Sequence, residues 1–295
     1  MKEESKIQSN WIKLLIWLGI MAMLTVLAMF GWRLIWGGSL ATDSLKWLQL
    51  LQTIATFLLP PILCAWLWDE QHKPFTWLGL TKGAKWQVFI LAVVIMICAI
   101  PGINLLGDIN SRIEFPQSLD FIEQILKAQE EAAADLTKRF LEADNGWILL
   151  INIGLLALLP AIAEELSFRG TLQQLLCPRT PHLAIWLTAV IFSAIHMQFY
   201  GFIPRMLMGA LFGYVFVWTG SLWVPMVMHF TNNGVAILSY YFLDKLGDTE
   251  KSWADTIGAG STWWLGLISL IVVGGLVYLL KVQGQQEFGR RTHIQ

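Results

Sequence analysis

Apolar runs of about 20 residues recur along the chain and are separated by shorter polar stretches. A run of this length predicts a membrane-spanning helix, because about 20 residues rising ~1.5 Å each cross the roughly 30 Å hydrocarbon core of a bilayer. Tryptophans stand at most ends of these runs, as is typical of membrane–water interfaces. About eight spanning helices are therefore predicted, at 11–30, 47–68, 86–106, 147–175, 183–199, 202–219, 223–243 and 263–282. The pair Pro60-Pro61 is expected to kink the second of them.

The polar segment 115–145 has a different pattern. Its apolar residues, among them Phe121, Ile122 and Ile125, recur at helical spacing between charged and amide residues. This pattern predicts an amphipathic connecting helix that lies at the membrane interface or covers the helix bundle. The pair Glu130-Glu131 within it has no apolar flanks, so we expect both carboxylates on a solvated helix face.

Composition agrees with a membrane protein, since 56% of the 295 residues are hydrophobic and only 14% are charged. The predicted fold class is an all-α polytopic membrane protein that forms a single membrane domain over residues 1–295. The net charge of −1 gives no indication of a nucleic-acid partner, and the lipid bilayer is the expected surrounding.

The basic residues predict a topology. If eight helices span the membrane, both chain ends and the loop that contains Arg179 lie on one side, and Arg33, Lys46 and Lys251 lie on the other. The positive-inside rule then favours cytoplasmic termini for a multi-pass protein of the cell (inner) membrane.

Three charged residues, Glu164, Glu165 and Arg169, stand in the fourth predicted span. Each charge costs about 2.5–3.5 kcal/mol at a bilayer centre on insertion scales, so partners or a function are needed to explain it. Glu165 and Arg169 are four residues apart in the order that favours an ion pair on a helix. Glu164 lies about 100° further round the helix and is left without this partner. The alternative is a charge cluster at the interfacial end of a helix.

Further polar residues lie in later spans: His196 in the fifth, and His229 and Asn233 one helical turn apart in the seventh. A histidine can act as a general acid or base, a glutamate can accept a proton from water, and an amide can donate to an oxyanion. These side chains suit hydrolysis by activated water, although single histidines in apolar helices are often hydrogen-bonded core residues. Glu164, His196 and His229 are also candidate ligands of a divalent metal such as zinc, and their spacing does not decide between the two uses.

Other polar or small residues near these positions have simpler interpretations. No serine stands in the Gly-x-Ser-x-Gly setting of a covalent nucleophile. Gly209 and Gly213 predict close helix packing in the sixth span. Arg205, near the start of that span, is expected to reach the interface, with a substrate contact as the alternative.

The ordered motifs Glu-Glu-x-x-x-Arg, Phe-x-x-x-His and His-x-x-x-Asn resemble those of the CPBP family of intramembrane proteases. This family includes the type II CAAX prenyl endopeptidases and the bacterial Abi proteins. The resemblance extends over about residues 161–236, within predicted catalytic-core helices at 147–243, and the motif positions show no departure from the family pattern.

The resemblance implies a role for each motif residue. Glu164 and His196 would activate the attacking water. His229 and Asn233 would stabilise the oxyanion. Glu165 and Arg169 would support the geometry of the site. Phe192 would pack its wall. We expect a glutamate-dependent mechanism without an obligate metal, with participation of a divalent metal such as zinc as the alternative.

The expected function is therefore endopeptidase cleavage of a hydrophobic or membrane-tethered peptide. No residue pattern in the sequence indicates recognition of a prenyl group, and a resemblance to a family does not establish which substrate this chain cleaves. One alternative is a non-proteolytic membrane scaffold, such as a bacteriocin self-immunity or maturation factor. Another is a transporter or proton relay, because intramembrane Glu and His also mark ion paths, although no inverted repeat is evident.

Overall fold

The computed structural model of the chain describes residues 2–68, 73–176, 181–245 and 256–292. Arg179 and Lys251, on which part of the topology prediction rests, lie outside these ranges. The described residues form helices and connecting turns, without a strand. The main helices are α1 (Lys2–Trp36), α2 (Thr42–Trp68), α3 (Trp86–Ser111), α4 (Asp120–Leu141), α5 (Gly146–Leu175), α6 (Pro181–Ala194), α7 (Phe202–Thr219), α8 (Trp223–Lys245) and α9 (Trp263–Thr292).

Six helices of the described chain are long and apolar enough to cross a membrane, so the chain is an all-helical, multi-pass membrane protein. They are α1, α2, α3, α5, α7 and α9. The predicted count of about eight is not confirmed. Helix α6 has only 14 residues, which is about 21 Å of helix. Helix α8 is long enough at 23 residues, but its second and third turns carry His229, Thr231, Asn232 and Asn233, which lower its hydropathy.

Successive helices connect two opposite ends of the bundle. At one end, called here the terminal end, Leu222 N donates to Gly79 O over 3.1 Å and Asn10 Nδ2 donates to Leu175 O over 3.2 Å. At the other end, called here the α4 end, Asn110 Nδ2 donates to Phe199 O over 3.0 Å. The short helix α6 therefore runs between the same two ends as its longer neighbours.

The helices differ in how much of their surface the protein covers. Helix α1 buries only 6% of its apolar window and α9 buries 17%, whereas α3 buries 39%. Large apolar side chains such as Leu15, Val26 and Ile271 are exposed on the two peripheral helices. Because exposed apolar side chains are stable in hydrocarbon, α1 and α9 present this surface to lipid. Helices α3, α5, α7 and α8 form the interior that holds the polar residues.

Helix α2 continues through Pro60 and Pro61 instead of breaking there. A wider π-helical turn, Thr53–Leu58, precedes the two prolines. Pro61 has no N–H to offer Phe57 O, four residues earlier, and Ser167 Oγ of α5 donates to this carbonyl over 2.8 Å. A neighbouring side chain thus satisfies the carbonyl that proline leaves free, as spanning helices require.

Helix α4 forms within the predicted amphipathic segment. Phe121 is 73% exposed and Ile122 is 45% exposed, whereas Phe140 is buried. The helix packs against α2, α8 and the turn that precedes α7. The prediction for Glu130 is wrong, because this side chain is half-buried and its Oε2 accepts from Tyr200 N over 3.4 Å. Only Glu131 of the pair is exposed.

Candidate active site

The charged stretch of α5 contains the ion pair that the spacing predicts. Arg169 Nη1 donates to Glu165 Oε1 over 2.7 Å, and both side chains have no solvent-exposed surface. A π-helical turn, Phe168–Leu172, begins just before the arginine. Further hydrogen bonds offset the cost of burying such a pair. Glu165 Oε2 and Arg169 Nε have none among the described residues, and the other atoms of the pair do.

The guanidinium of Arg169 is held on its other sides by α6 and α7. Its Nη2 donates to Gly209 O over 2.8 Å. Its Cζ lies 4.8 Å from the ring centroid of Phe192 and 5.3 Å from that of Phe212. Aromatic faces attract a cation at these distances. Arg169 therefore ties three helices together at one buried point.

Gly209 permits this contact because a side chain there would collide with α6. A Cβ at Gly209 would lie 3.2 Å from Phe192 and 3.3 Å from Ala189. The small-residue spacing that the sequence shows in α7 thus brings the α7 backbone against α6, where its carbonyl can meet the guanidinium.

His229 of α8 lies between the two carboxylates of α5. Its Nδ1 is 2.9 Å from Glu165 Oε1, so the carboxylate accepts from an Nδ1–H, and its Nε2 is 3.9 Å from Glu164 Oε2. The ring is buried and packs against Phe212 at 5.6 Å and Phe192 at 6.0 Å between centroids. Glu165 Oε1 therefore accepts from both Arg169 and His229.

Glu164 is the carboxylate that remains uncommitted. Its side chain is 16% exposed, and its Oε2 is buried without a hydrogen-bond partner among the described residues. Because a buried carboxylate oxygen without a donor costs free energy, its position requires a function or a bound donor to explain it. Glu164 therefore has an oxygen free to receive a proton.

Asn233 lies one turn after His229 on α8, and its amide is partly engaged. Nδ2 donates to Leu156 O over 3.4 Å, and Oδ1 accepts from Asn232 Nδ2 over 3.2 Å. Leu156 O lies four residues before Pro160, which has no N–H for it. Because an amide nitrogen carries two hydrogens, the orientation of Asn233 is fixed while one N–H remains available.

His196 lies in the turn after α6, near the α4 end of the bundle. Its Nδ1 is 2.7 Å from Phe192 O, and a carbonyl only accepts, so Nδ1 carries the hydrogen and Nε2 has a free lone pair. Its ring packs edge-on to Phe192 at 5.1 Å. Phe192 thus contacts both histidines and the guanidinium, which places it at the centre of the cluster.

The structure brings most of the predicted residues to one place, with one difference in pairing. Glu164, Glu165, Arg169, His229 and Phe192 form a continuous set of contacts. Among the described side chains, the imidazole within ion-pair range of Glu164 belongs to His229 and not to His196. His196 joins the set through Phe192.

The candidate metal ligands do not form a metal site. Within the described ranges, no group of three His, Cys, Asp or Glu side chains is placed to hold a metal ion. The Nδ1 bonds of His229 and His196 are compatible with metal binding, because metal-ligating histidines usually donate their other ring N–H to a carboxylate or a carbonyl. It is the placement of Glu164, His196 and His229 that does not gather them as a three-ligand set in this arrangement.

Further polar side chains surround the site. Arg205, for which the sequence offered the interface or a substrate contact, donates from Nη2 to Gln198 Oε1 over 2.8 Å. Sequence reasoning did not single out two others as part of the site. Asn110 on α3 and Ser193 on α6 are both buried and bond to the backbone between α6 and α7. The available signal was a single asparagine or serine in an otherwise apolar segment, which is too common to identify a site.

Comparison with known proteins finds similarity in the same region of the chain. Residues 146–235 match the family model described as type II CAAX prenyl endopeptidase Rce1-like. Uncharacterized protein YpbD of Bacillus subtilis (strain 168) is 38% identical over 88 residues, which are 28% of this chain. The match spans 43% of that relative's length. No solved structure matches the chain.

The matched segment begins at the first residue of α5 and ends just after Asn233. It contains Glu164, Glu165, Arg169, Phe192, His196, His229 and Asn233. The resemblance that the motifs predict is therefore confirmed over residues 146–235, where the chain is similar to the Rce1-like type II CAAX prenyl endopeptidases.

Proposed function

We propose that the protein is an intramembrane endopeptidase that hydrolyses a peptide bond with a water molecule activated by Glu164. One observation supports this most strongly. Among the described residues, both adjacent carboxylates have a buried Oε2 without a donor, but Glu165 is held through Oε1 by Arg169 and His229, whereas Glu164 has only His229 Nε2 at 3.9 Å. The matched family is a peptidase family by its description, which agrees with this chemistry.

In the proposed reaction, Glu164 accepts a proton from water as the oxygen of that water attacks the peptide carbonyl carbon. The carbonyl oxygen becomes an oxyanion, to which Asn233 Nδ2–H and a protonated His229 Nε2–H donate. The C–N bond then breaks, and the proton held by Glu164 moves to the amine nitrogen, so the carboxylate is regenerated. His196, with its free Nε2, can accept or return a proton in the same cycle.

The surroundings favour this chemistry. Both donors lie on helix α8, which packs against α5, and Glu165 holds the His229 ring through Nδ1. Donors that are already oriented toward a developing charge stabilise a transition state without further rearrangement. Phe192 and Phe212 exclude water from one side of the ring, which strengthens electrostatic interactions at the site.

The proposed substrate is a hydrophobic or membrane-tethered peptide, because the site lies between spanning helices. The catalytic core is proposed to be residues 147–243, with 115–145 as a connecting helix and residues 1–295 as one membrane domain. We place both termini in the cytoplasm and the protein in the cell (inner) membrane, in accordance with the basic residues of the sequence. The α4 end of the bundle is then on the opposite face.

Two other functions would use the same residues differently. A scaffold, such as a bacteriocin self-immunity or maturation factor, has no need for Glu164, since an apolar residue would cost less at that place. A proton relay needs a continuous chain of titratable groups, and among the described side chains Glu164 and His196 are not within ion-pair range of each other. Both alternatives are therefore less favoured than hydrolysis.

The test is cleavage by the purified protein of membrane-tethered peptides, including prenylated and unprenylated members of one series. Glu164→Gln is expected to lower the cleavage rate by about 10²–10⁴-fold, the usual contribution of a general base. Glu131→Gln is the matched control, because it removes an exposed carboxylate of α4 and is expected to keep the parent rate. If Glu164→Gln cleaves as fast as Glu131→Gln, the proposal is wrong.

A further inference from the structure

His196 stands at the start of a strained turn between α6 and α7. The next residue, Met197, has φ at 55°. Among the described residues other than glycine, no other has a positive φ. A side chain in this left-handed region costs about 1–3 kcal/mol and persists only when the surrounding structure holds it. The turn 195–201 therefore needs contacts that fix it.

Asn110 of α3 supplies two of these contacts with one side chain. Its Nδ2 donates to Phe199 O over 3.0 Å, and its Oδ1 accepts from Ile203 N over 2.8 Å. Ile203 N belongs to the first turn of α7, where backbone N–H groups lack partners within the helix. Asn110 is 1% exposed, so water does not compete for these bonds.

Three further side chains hold the same turn. Arg205 donates to the Gln198 side chain over 2.8 Å, Ser193 Oγ donates to Phe202 O over 2.7 Å, and Glu130 accepts from Tyr200 N. They come from α7, α6 and α4. Asn110 differs from them because its single amide bonds on both sides of the boundary between the turn and α7.

We propose that Asn110 is a positioning residue for His196, which it orients through the strained turn 195–201. This inference rests on the proposed function. Asn110 lies outside residues 146–235, so neither the family match nor the motif order points to it. The imidazole of His196 is carried by the backbone of this turn, and Phe192 O fixes only its Nδ1.

The expected consequence of losing Asn110 follows from geometry. Without the amide, Phe199 O and Ile203 N lose their partner, and the backbone at Met197 can relax from its strained φ. A displacement of a reacting group by about 1 Å can cost on the order of 10²-fold in rate. The loss should appear in kcat, because His196 moves relative to the reacting atoms, and KM should change by less than about threefold.

The experiment compares Asn110→Ala with Asn104→Ala in the full-length protein. Asn104 is a matched control on the same helix, since its Nδ2 donates over 3.0 Å to a backbone carbonyl, Ile257 O, that lies outside residues 195–203. Hydrogen exchange of residues 195–203 and the NMR signals of ¹³C-labelled histidine rings are measured in both variants. We expect faster exchange and a shifted His196 signal in Asn110→Ala only, with kcat per folded molecule reduced about 10–100-fold.

These readouts separate the two proposals. If Glu164→Gln keeps parent activity, the proposed function is wrong, and the exchange and NMR measurements still test whether Asn110 holds the turn. If Glu164→Gln is inactive but Asn110→Ala matches Asn104→Ala in kcat, exchange and the His196 signal, the positioning role alone is overturned. The same conclusion follows if Asn110→Ala only lowers stability and leaves kcat per folded molecule unchanged.

Discussion

Removing the Arg169 guanidinium should strongly destabilise the protein. In Arg169→Met, the aliphatic volume is kept, but the Glu165 carboxylate loses its 2.7 Å partner in a place without solvent exposure. Breaking a buried ion pair by removing one partner typically costs about 3–5 kcal/mol, because the remaining charge is left uncompensated. Gly209 O also loses its donor, so we expect the upper part of this range.

The chain contains a matched control for this prediction. Arg112 and Asp108 form an ion pair with the same i, i+4 spacing and the same 2.7 Å distance, but the arginine side chain is 68% exposed. Arg112→Met should cost only about 0–1 kcal/mol, as is usual for surface pairs. Each variant would be unfolded reversibly in mixed detergent micelles and the free energy of unfolding compared.

A double variant, Glu165→Gln with Arg169→Met, tests the cause. It removes the uncompensated charge, so it should be less destabilised than Arg169→Met alone, which means a coupling free energy at least as large as the cost of Glu165→Gln by itself. If Arg169→Met costs no more than Arg112→Met, or if the double variant is as unstable as the sum of its parts, the buried pair does not support the site in the way described.

Three further outcomes follow from the packing and the site. Gly213→Ala should cost about 1–3 kcal/mol of unfolding free energy, because a Cβ would meet Gln173 Oε1 at 2.6 Å and Ile185 at 3.0 Å, whereas Gly274→Ala, with nothing within 4 Å, should stay within about 1 kcal/mol of the parent. Asn145→Ala should cost about 1 kcal/mol, because Asn145 Oδ1 accepts from Trp147 N and Ile148 N at the start of α5, and an unchanged unfolding midpoint would contradict that cap. Peptide cleavage should survive exhaustive chelation with a metal-free protein sample, since the described His, Cys, Asp and Glu side chains form no metal-binding group, and loss of activity restored by added zinc would contradict this expectation.

Local patterns in the sequence were sufficient for the helices and for the pair within α5. Apolar runs located the long helices, and the spacing of Glu165 and Arg169 predicted their contact, because both signals act over a few residues. The same spacing left Glu164 outside the pair, and among the described residues its Oε2 has no hydrogen bond and only His229 Nε2 at 3.9 Å. The polar pattern of 115–145 located α4, but its packing side was not predictable, and Glu130 turned out to face Tyr200.

Contacts between distant residues could not be predicted from the sequence. His229 meets Glu165 across 64 positions, and Asn110 meets Phe199 across 89. Such pairs depend on which helices are neighbours, and an apolar helix gives little information about the face it presents. The number of membrane-spanning helices could not be predicted from the sequence either. Helix α6 is short, and α8 carries polar residues on its site-facing turns.

The division of roles between Glu164 and Glu165 is tested most directly by measuring two isosteric variants side by side. For each of Glu164→Gln and Glu165→Gln, the cleavage rate per folded molecule and the free energy of unfolding would be determined. We expect Glu164→Gln to lose about 10²–10⁴-fold in rate while its unfolding free energy stays within about 1 kcal/mol of the parent. Glu165→Gln should instead lose about 3–5 kcal/mol of stability, because Arg169 is left buried without its counter-charge. Parent-like cleavage by Glu164→Gln, or equal stability losses in the two variants, would contradict the account.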